Sequence, residues 1–238
     1  MSIYEVKLQG HLAVAEGTMA FRFARPGGFE FEAGQALSLE LIDPPAEEGQ
    51  SSRTLSLVSA PFEQELMIAT RMRDSAFKRT LKALPQGASI RIDGPFGDLT
   101  LGGSERSAVL IAGGIGITPF MSMLRQAAHD HSPQSLFLAY SNRRPEDAAF
   151  LDELQELERR NRNFHLMATM TDMGKSAREW SGETGYIDAD KLQRLAGDLA
   201  APLYYVVGPP VMVEAMQQTL GGAGIAAEKI RTEEFYGY

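Results

Sequence analysis

Cysteine is absent from the 238-residue chain. That excludes disulfides, thiolate zinc sites and cysteine-ligated iron–sulfur clusters, so any electrons crossing this chain need an organic carrier. Histidine is scarce, and His11, His129, His131 and His165 lack the spacing of a metal site. His129 and His131 are expected to cap or follow a helix end. The single tryptophan, Trp180, lies in a polar stretch and carries no assigned role. No apolar run approaches the roughly 20 residues of a membrane helix. Residues 1–10 carry Glu5 and no apolar core, so no secretory signal is expected and the default location is cytoplasmic. Positive charge is in deficit, 23 Lys and Arg against 31 Asp and Glu for a net −8, which argues against non-specific nucleic-acid binding. The remainder, 44% hydrophobic and 23% charged, is ordinary globular composition for one large domain or two small ones.

Two rhythms divide the sequence. From Tyr4 to about Asp98, short runs alternate apolar and polar positions: Tyr4, Val6 and Leu8; Phe21 and Phe23; Leu37, Leu39 and Leu41; Leu66 and Ile68; Ile90 and Ile92. Turn clusters such as Pro26-Gly27-Gly28 and Pro44-Pro45 separate them, and the pattern predicts an antiparallel barrel or sandwich. One helix interrupts this half, capped by Asp74 or Ser75, apolar along Phe77, Leu81 and Leu84, and ended by Pro85 and Gly87. The second half alternates strands at 108–112, 136–140, 165–169 and 203–207 with helices, which predicts a parallel sheet covered on both faces. Its clearest expected helix spans 145–160, with Pro145 at the first position, Glu146 and Asp147 in the first turn, and Phe150, Leu154 and Leu157 on one face. The boundary is expected within 101–105, giving domains over 1–101 and 105–238.

Candidate ligand-binding segments cluster at strand ends. Residues 109–119 pass from strand to helix through Gly113, Gly114 and Gly116, where glycine lets a ligand approach the backbone. Thr118 is expected to cap the helix and Pro119 to preset its first turn, leaving free N–H groups for an anionic pyrophosphate. A plain tight turn explains the same residues. Gly208-Pro209-Pro210 leaves a second strand and begins a helix carrying Val213, Met216 and Leu220. Ser141, Asn142, Arg143 and Arg144 leave a third, a set suited to an adenosine ribose or its 2′-phosphate, or else a solvated surface. In the first half, Arg53-Thr54-Leu55-Ser56 is strand-like, either an edge strand or a site. Arg71, Arg73, Ser75 and Lys78 gather positive charge at the start of the capped helix, which suits a phosphate.

In this order, over nearly the whole chain, the segments resemble the ferredoxin–NADP reductase superfamily. Members carry R-x-Y-S, a second flavin phosphate loop, G-P-x-G, G-G-x-G-x-T-P, C-G-P-P and a C-terminal aromatic stretch. Here those places hold Arg53-Thr54-Leu55-Ser56, Arg71 to Lys78, Gly94-Pro95-Phe96-Gly97, Gly113 to Pro119, Val207-Gly208-Pro209-Pro210 and Glu233-Glu234-Phe235-Tyr236-Gly237-Tyr238. Phe31-Glu32-Ala33-Gly34-Gln35 is similar to the family's aromatic, then Gly-Gln, barrel strand. The resemblance implies an antiparallel β-barrel flavin domain followed by a Rossmann-like nucleotide domain, with FAD and NADPH or NADH as cofactors. It places Arg53 on the flavin pyrophosphate, Ser56 near flavin N5, Thr54 and Leu55 beside the flavin, and Ser75 with Arg71, Arg73 and Lys78 on its phosphates. Gly113, Gly114, Gly116, Thr118 and Pro119 hold the nicotinamide nucleotide, Ser141, Asn142, Arg143 and Arg144 its adenosine end, and Gly208, Pro209 and Pro210 its nicotinamide. Phe235, Tyr236 and Tyr238 pack against the flavin or stand in for the nicotinamide, and Ser56, Glu234 and Tyr238 form the catalytic set. Two positions depart from the family: Leu55 replaces the aromatic that commonly stacks on the isoalloxazine, and Val207 replaces a cysteine near the nicotinamide.

The activity implied is hydride transfer from the nicotinamide to bound FAD, then electron transfer to a separate acceptor, protein or small molecule. A flavin reductase using diffusible flavin, favoured by Leu55, and a non-catalytic flavin-binding redox subunit are the alternatives. Arg71, Arg73, Lys78, Arg79 and Lys82 form a basic patch that either docks an acidic carrier such as a ferredoxin or flavodoxin or is divided between phosphates and solvent. Arg143 and Arg144 tilt the nicotinamide towards NADPH.

Overall fold

A computed structural model describes residues 2–42, 51–103 and 106–236. The first half forms β1 (Ser2–Ala15), β2 (Thr18–Ala24), β3 (Ala36–Leu41), β4 (Ser52–Ser56), β5 (Glu65–Arg71) and β6 (Ser89–Phe96). These six strands pair antiparallel in the order β4-β3-β6-β1-β2-β5. A bridge from Leu57 to Ile68 joins the two ends and closes the sheet into a barrel. Phe21, Phe23, Leu37, Leu39, Ile90 and Ile92 point inward, as their alternation predicts. The helix α1 (Ala76–Ala83) adds Phe77 and Leu81 to that core. Ser75 is its cap, its hydroxyl accepting from the Lys78 N–H at 3.3 Å, whereas Asp74 pairs with Arg79. Residues 31–35 form a loop ahead of β3 rather than a strand, because the Gln35 N–H turns back to the Glu32 carbonyl at 3.1 Å.

The second half is a parallel sheet of β7 (Ala108–Gly113), β8 (Leu136–Asn142), β9 (Phe164–Met170), β10 (Glu183–Thr184), β11 (Leu203–Gly208) and β12 (Ile230–Glu234). Its order is β10-β9-β8-β7-β11-β12. The helices α2 (Thr118–His129) and α3 (Leu151–Arg160) cover one face, and α4 (Ala189–Ala196) and α5 (Pro210–Gly222) the other. β7 is therefore buried along its whole length, which its unbroken apolar sequence requires. Among the described residues no helix is long and apolar enough to cross a membrane. Of the segment expected to separate the halves, Ser104 and Glu105 lie outside the described residues.

The helix expected over 145–160 starts later. Pro145–Asp147 is a single 3-10 turn, Phe150 takes the left-handed conformation at φ 60°, and α3 begins at Leu151. The acidic residues that look like a helical first turn are engaged elsewhere. Asp147 receives the Arg144 guanidinium, and the Glu146 carboxylate accepts from the Ala177 and Arg178 N–H groups at 2.8 and 3.1 Å. Leu154 and Leu157 still pack inward, so the apolar face was placed correctly.

The two halves share one core: Ala20, Val58 and Ala69 of the barrel join the cluster built on α2, α3 and the sheet. Arg125 of α2 fastens it. Its guanidinium holds Glu153 at 2.6 and 2.9 Å and reaches across to Glu63 and the Val58 carbonyl, both at 3.3 Å. With this side chain 13% exposed, the interaction lies between the surface and buried limits for ion pairs. Arg125→Met is expected to lower unfolding stability by about 2 kcal/mol, measured by urea denaturation; a variant as stable as the parent refutes the fastening role.

Candidate active site

β7 ends at Gly113, and residues 114–117 form a 3-10 turn running directly into α2. Gly114 sits at φ 55°, a conformation that other residues adopt with strain. Gly116 and Gly208 answer a different need. A methyl group on Gly116 would lie 2.3 Å from the Val207 carbonyl oxygen, and one on Gly208 would lie 3.2 Å from the Gly113 Cα. These glycines let the turns after β7 and β11 pack backbone to backbone, so contact with a ligand is not what fixes them. Thr118 does not cap α2: its hydroxyl donates to the Ile115 carbonyl at 3.1 Å. Pro119 occupies the first turn as expected, and Pro209 and Pro210 open α5. The paired turns stand at the carboxyl ends of the strands, where the chain leaves β7 and β11 in opposite directions.

Facing them across a cavity of about 320 Å³ is the barrel. Thr54, Leu55 and Ser56 of β4 line one wall, with Ser56 5% exposed, and Arg71 at the end of β5 lines another. Ile115, Thr118 and Phe235 come from the nucleotide side. Arg71 crosses the gap: a methyl group at Gly114 would lie 3.2 Å from its guanidinium. Arg71 is thus aimed at the glycine turn, whereas the sequence grouped it with the α1 phosphate loop.

The remaining cations of that loop do converge. The Arg53 guanidinium stands 5.3 Å from the Phe77 ring, beside the start of α1. Burial, then the neighbouring Arg73 and Arg53 charges, hold the Lys78 ammonium below its ordinary pKa. Among the described residues, no carboxylate forms an ion pair with Arg53, Arg73 or Lys78, and the adjacent Asp74 pairs with Arg79. Arg53, Arg73 and Lys78 therefore repel one another around the N-terminus of α1, an arrangement that an anion relieves.

Beyond β8, Arg144 is held by carboxylates. Its guanidinium grips Asp147 at 2.8 and 3.0 Å and lies 3.3 Å from Glu16, so its charge is already met by two carboxylates. Arg143 is exposed, and Ser141 is half-buried beside it. Asn142 is 5% exposed, and its side chain lies beside the buried Tyr140 hydroxyl. Tyr186, unremarked in the sequence, stands 82% exposed just beyond β10 at the same sheet edge. A lone tyrosine after a two-residue strand carries no periodic signal that would single it out.

The C-terminal stretch also differs. Glu234 is exposed and accepts from the Tyr236 hydroxyl, so its carboxylate is already engaged. Glu233 is the half-buried carboxyl at the cavity, and burial, then the Asp98 charge, push its pKa up. Both glutamates line the cavity, and Glu233 is the more buried of the two. Phe235 donates its N–H to the Gly208 carbonyl at 2.9 Å, which holds this segment beside the paired turns. Tyr238 lies outside the described residues.

Residues 110–218 match the oxidoreductase NAD-binding domain. Ferredoxin–NADP reductase B of Sorangium cellulosum is 30% identical over 226 residues, covering 91% of this chain and 90% of that protein. The reductase component of propane 2-monooxygenase of Rhodococcus jostii is 28% identical over 218 residues, covering 88% of this chain and 57% of that protein. Among solved structures, the ferredoxin NADP+ reductase of Neisseria gonorrhoeae with bound FAD and NADP superposes with a TM-score of 0.83 at 23% identity, covering 98% and 99% of the two chains. The flavohem-like FAD/NAD-binding domain of a nitric oxide dioxygenase from Vibrio cholerae gives 0.84 at 20% identity, covering 97% and 98%.

The raised Glu233 pKa has a signed consequence. A carboxyl that binds its proton more tightly folded than unfolded adds stability at low pH, and that stability is lost as pH rises through the folded value. Glu233→Gln is expected to raise the melting temperature at about pH 8 but not at about pH 4, below the ordinary glutamate value of about 4.3. An equal change at both pH values contradicts the burial of this carboxyl.

Proposed function

The chain belongs to the ferredoxin–NADP reductase family and is a flavin-dependent NAD(P)H oxidoreductase, and we propose that its FAD is held by the barrel and its nicotinamide nucleotide by the paired glycine turns. The observation that carries this assignment is the cation cluster of Arg53, Arg73 and Lys78, gathered at the N-terminus of α1 without a carboxylate partner among the described residues. Such a cluster fits the FAD pyrophosphate, which supplies the missing negative charge. A cavity of about 320 Å³ opening between the halves falls in the range of ligand sites, about 300–1,000 Å³.

When bound, FAD accepts a hydride from the reduced nicotinamide and passes the electrons on, chemistry that belongs to the cofactors. The chain supplies placement. Ser56, nearly buried on β4, offers a hydroxyl to the reacting edge of the flavin. Arg71 and the N–H groups of residues 114–117 hold the phosphates of the nicotinamide nucleotide. Arg143 is the cation left for a 2′-phosphate, and Tyr186 offers an open ring face for the adenine. Glu233, whose pKa is pushed up by burial and then by the Asp98 charge, lines the cavity from the nucleotide side beside Glu234. Phe235 closes the cavity beside Gly208 and limits the entry of water.

Electrons leave to a separate partner. With no cysteine, residues 1–238 themselves hold no thiolate-ligated iron–sulfur cluster. Arg73 and Lys82 are exposed near α1 and offer positive charge to an acidic carrier protein. Leu55, an aliphatic wall where a stacking aromatic is usual, supports a second reading in which flavin exchanges as a substrate.

Anaerobic titration with NADPH or NADH tests the assignment: the flavin absorbance of the purified protein is expected to bleach stoichiometrically, and Arg53→Ala to weaken FAD binding about tenfold. Bleaching absent with both nucleotides contradicts the activity. Unchanged FAD affinity removes Arg53 from the site, and an apoprotein that turns over added flavin selects the second reading.

A further inference from the structure

The turn between β1 and β2 reaches the nucleotide half at the segment that follows β8. Glu16 donates its backbone N–H to the Glu146 carbonyl at 2.8 Å, and its carboxylate lies 3.3 Å from the Arg144 guanidinium. Arg144 in turn grips Asp147 through both edges of its fork. One residue on, the Gly17 carbonyl accepts from the Met72 N–H at 2.7 Å. Met72 follows Arg71, whose guanidinium lies against Gly114. The hairpin tip therefore grasps two segments from opposite halves: residues 144–147, and the strand end that carries Arg71.

Arg71 belongs to the barrel yet works on the glycine turn of the other half, so its reach depends on how the halves are registered. Ordering its long side chain costs rotamer entropy, and a backbone already fixed at the strand end confines the cost to the side chain. The Arg125 clasp lies nearly two helical turns along α2 from Thr118 and fixes the halves away from this turn. Close to Gly114 the fixation comes from Glu16 and Gly17. The Asp147 carboxyl supports the same proximity: it is held below its ordinary range mainly by Arg144, and the Arg71 charge contributes.

We propose that Glu16 and Arg144 are positioning residues for the nicotinamide nucleotide: their ion pair holds the β1–β2 tip against residues 144–147 and thereby keeps Arg71 over the Gly114 turn. The proposal rests on the reading that nucleotide phosphates bind at that turn. Arg144, which the sequence places on the ligand, acts through Glu16 and Arg71 without touching it.

Steady-state kinetics of the FAD-loaded protein, with NADPH or NADH as donor and ferricyanide as acceptor, test it. Glu16→Ala is expected to raise the nucleotide KM about fivefold, with kcat within about twofold and FAD content unchanged. In an Arg71→Ala background the same substitution is expected to change KM by less than about twofold, because the residue it acts through is gone. Should Glu16→Ala fold poorly, Glu16→Gln removes the charge while keeping the length of the side chain, and it is expected to shift KM in the same direction. Glu65→Gln, which breaks the remote Arg22–Glu65 pair at 3.4 Å, serves as the control and leaves KM unchanged. An unchanged KM in the Glu16 variants overturns the proposal, as does the same factor with and without Arg71. A parent protein that reduces no ferricyanide overturns the functional reading, and this proposal with it.

Discussion

Repulsion among Arg53, Arg73 and Lys78 is the interaction on which the site depends. The three cations meet at the first turn of α1, where the helix already presents unpaired N–H groups and a positive end. Folding brings them together at a cost, and the described residues supply no carboxylate that offsets it. Under the proposed assignment, a dianionic ligand reverses the sign of that balance and turns the cluster into a source of affinity. The barrel around it is arranged accordingly: β4 carries Arg53 and Ser56, β5 carries Arg71, and Phe77 seats both α1 and the Arg53 guanidinium.

The nucleotide half contributes shape more than charge. Its two turns are pressed together through Gly113, Gly116 and Gly208, so the crevice at the sheet edge is built from backbone that side chains cannot widen. Positive charge arrives there from the barrel, through Arg71. The shared core through α2, the Arg125 clasp and the Glu16–Arg144 contact hold the two halves in register around that turn, as the proposed joint reading of a nucleotide requires.

Much of this was visible in the sequence, for physical reasons. Alternation in Phe21–Phe23 and Leu37–Leu39–Leu41, and the apolar run of β7, follow directly from burial on one face or two, so the barrel and the sheet were legible. Ser75 was legible as a cap because a short hydroxyl ahead of an amphipathic run has few other uses. What failed were residues whose partners lie far away in sequence. Glu146 and Asp147 look like a helical first turn, yet residues 176–178 and Arg144 claim them and postpone α3 to Leu151. Arg144 looks like a phosphate ligand until Glu16, 128 positions earlier in the chain, reaches it. Thr118 looks like a cap, yet the preceding 3-10 turn already begins the helix and leaves its hydroxyl a carbonyl to bond. The deeper burial of Glu233 than of Glu234 needed the register of β12, an edge strand too short to show its phase.

The central claim is that unpaired positive charge recognises a phosphate-bearing flavin. The most direct measurement compares the binding of FAD and of riboflavin, which lacks phosphate, to the apoprotein over a range of salt concentrations. FAD is expected to bind far more tightly than riboflavin and to weaken as salt is added, while riboflavin binding stays weak and nearly independent of salt. Equal affinities for the two flavins, unaffected by salt, would contradict the account.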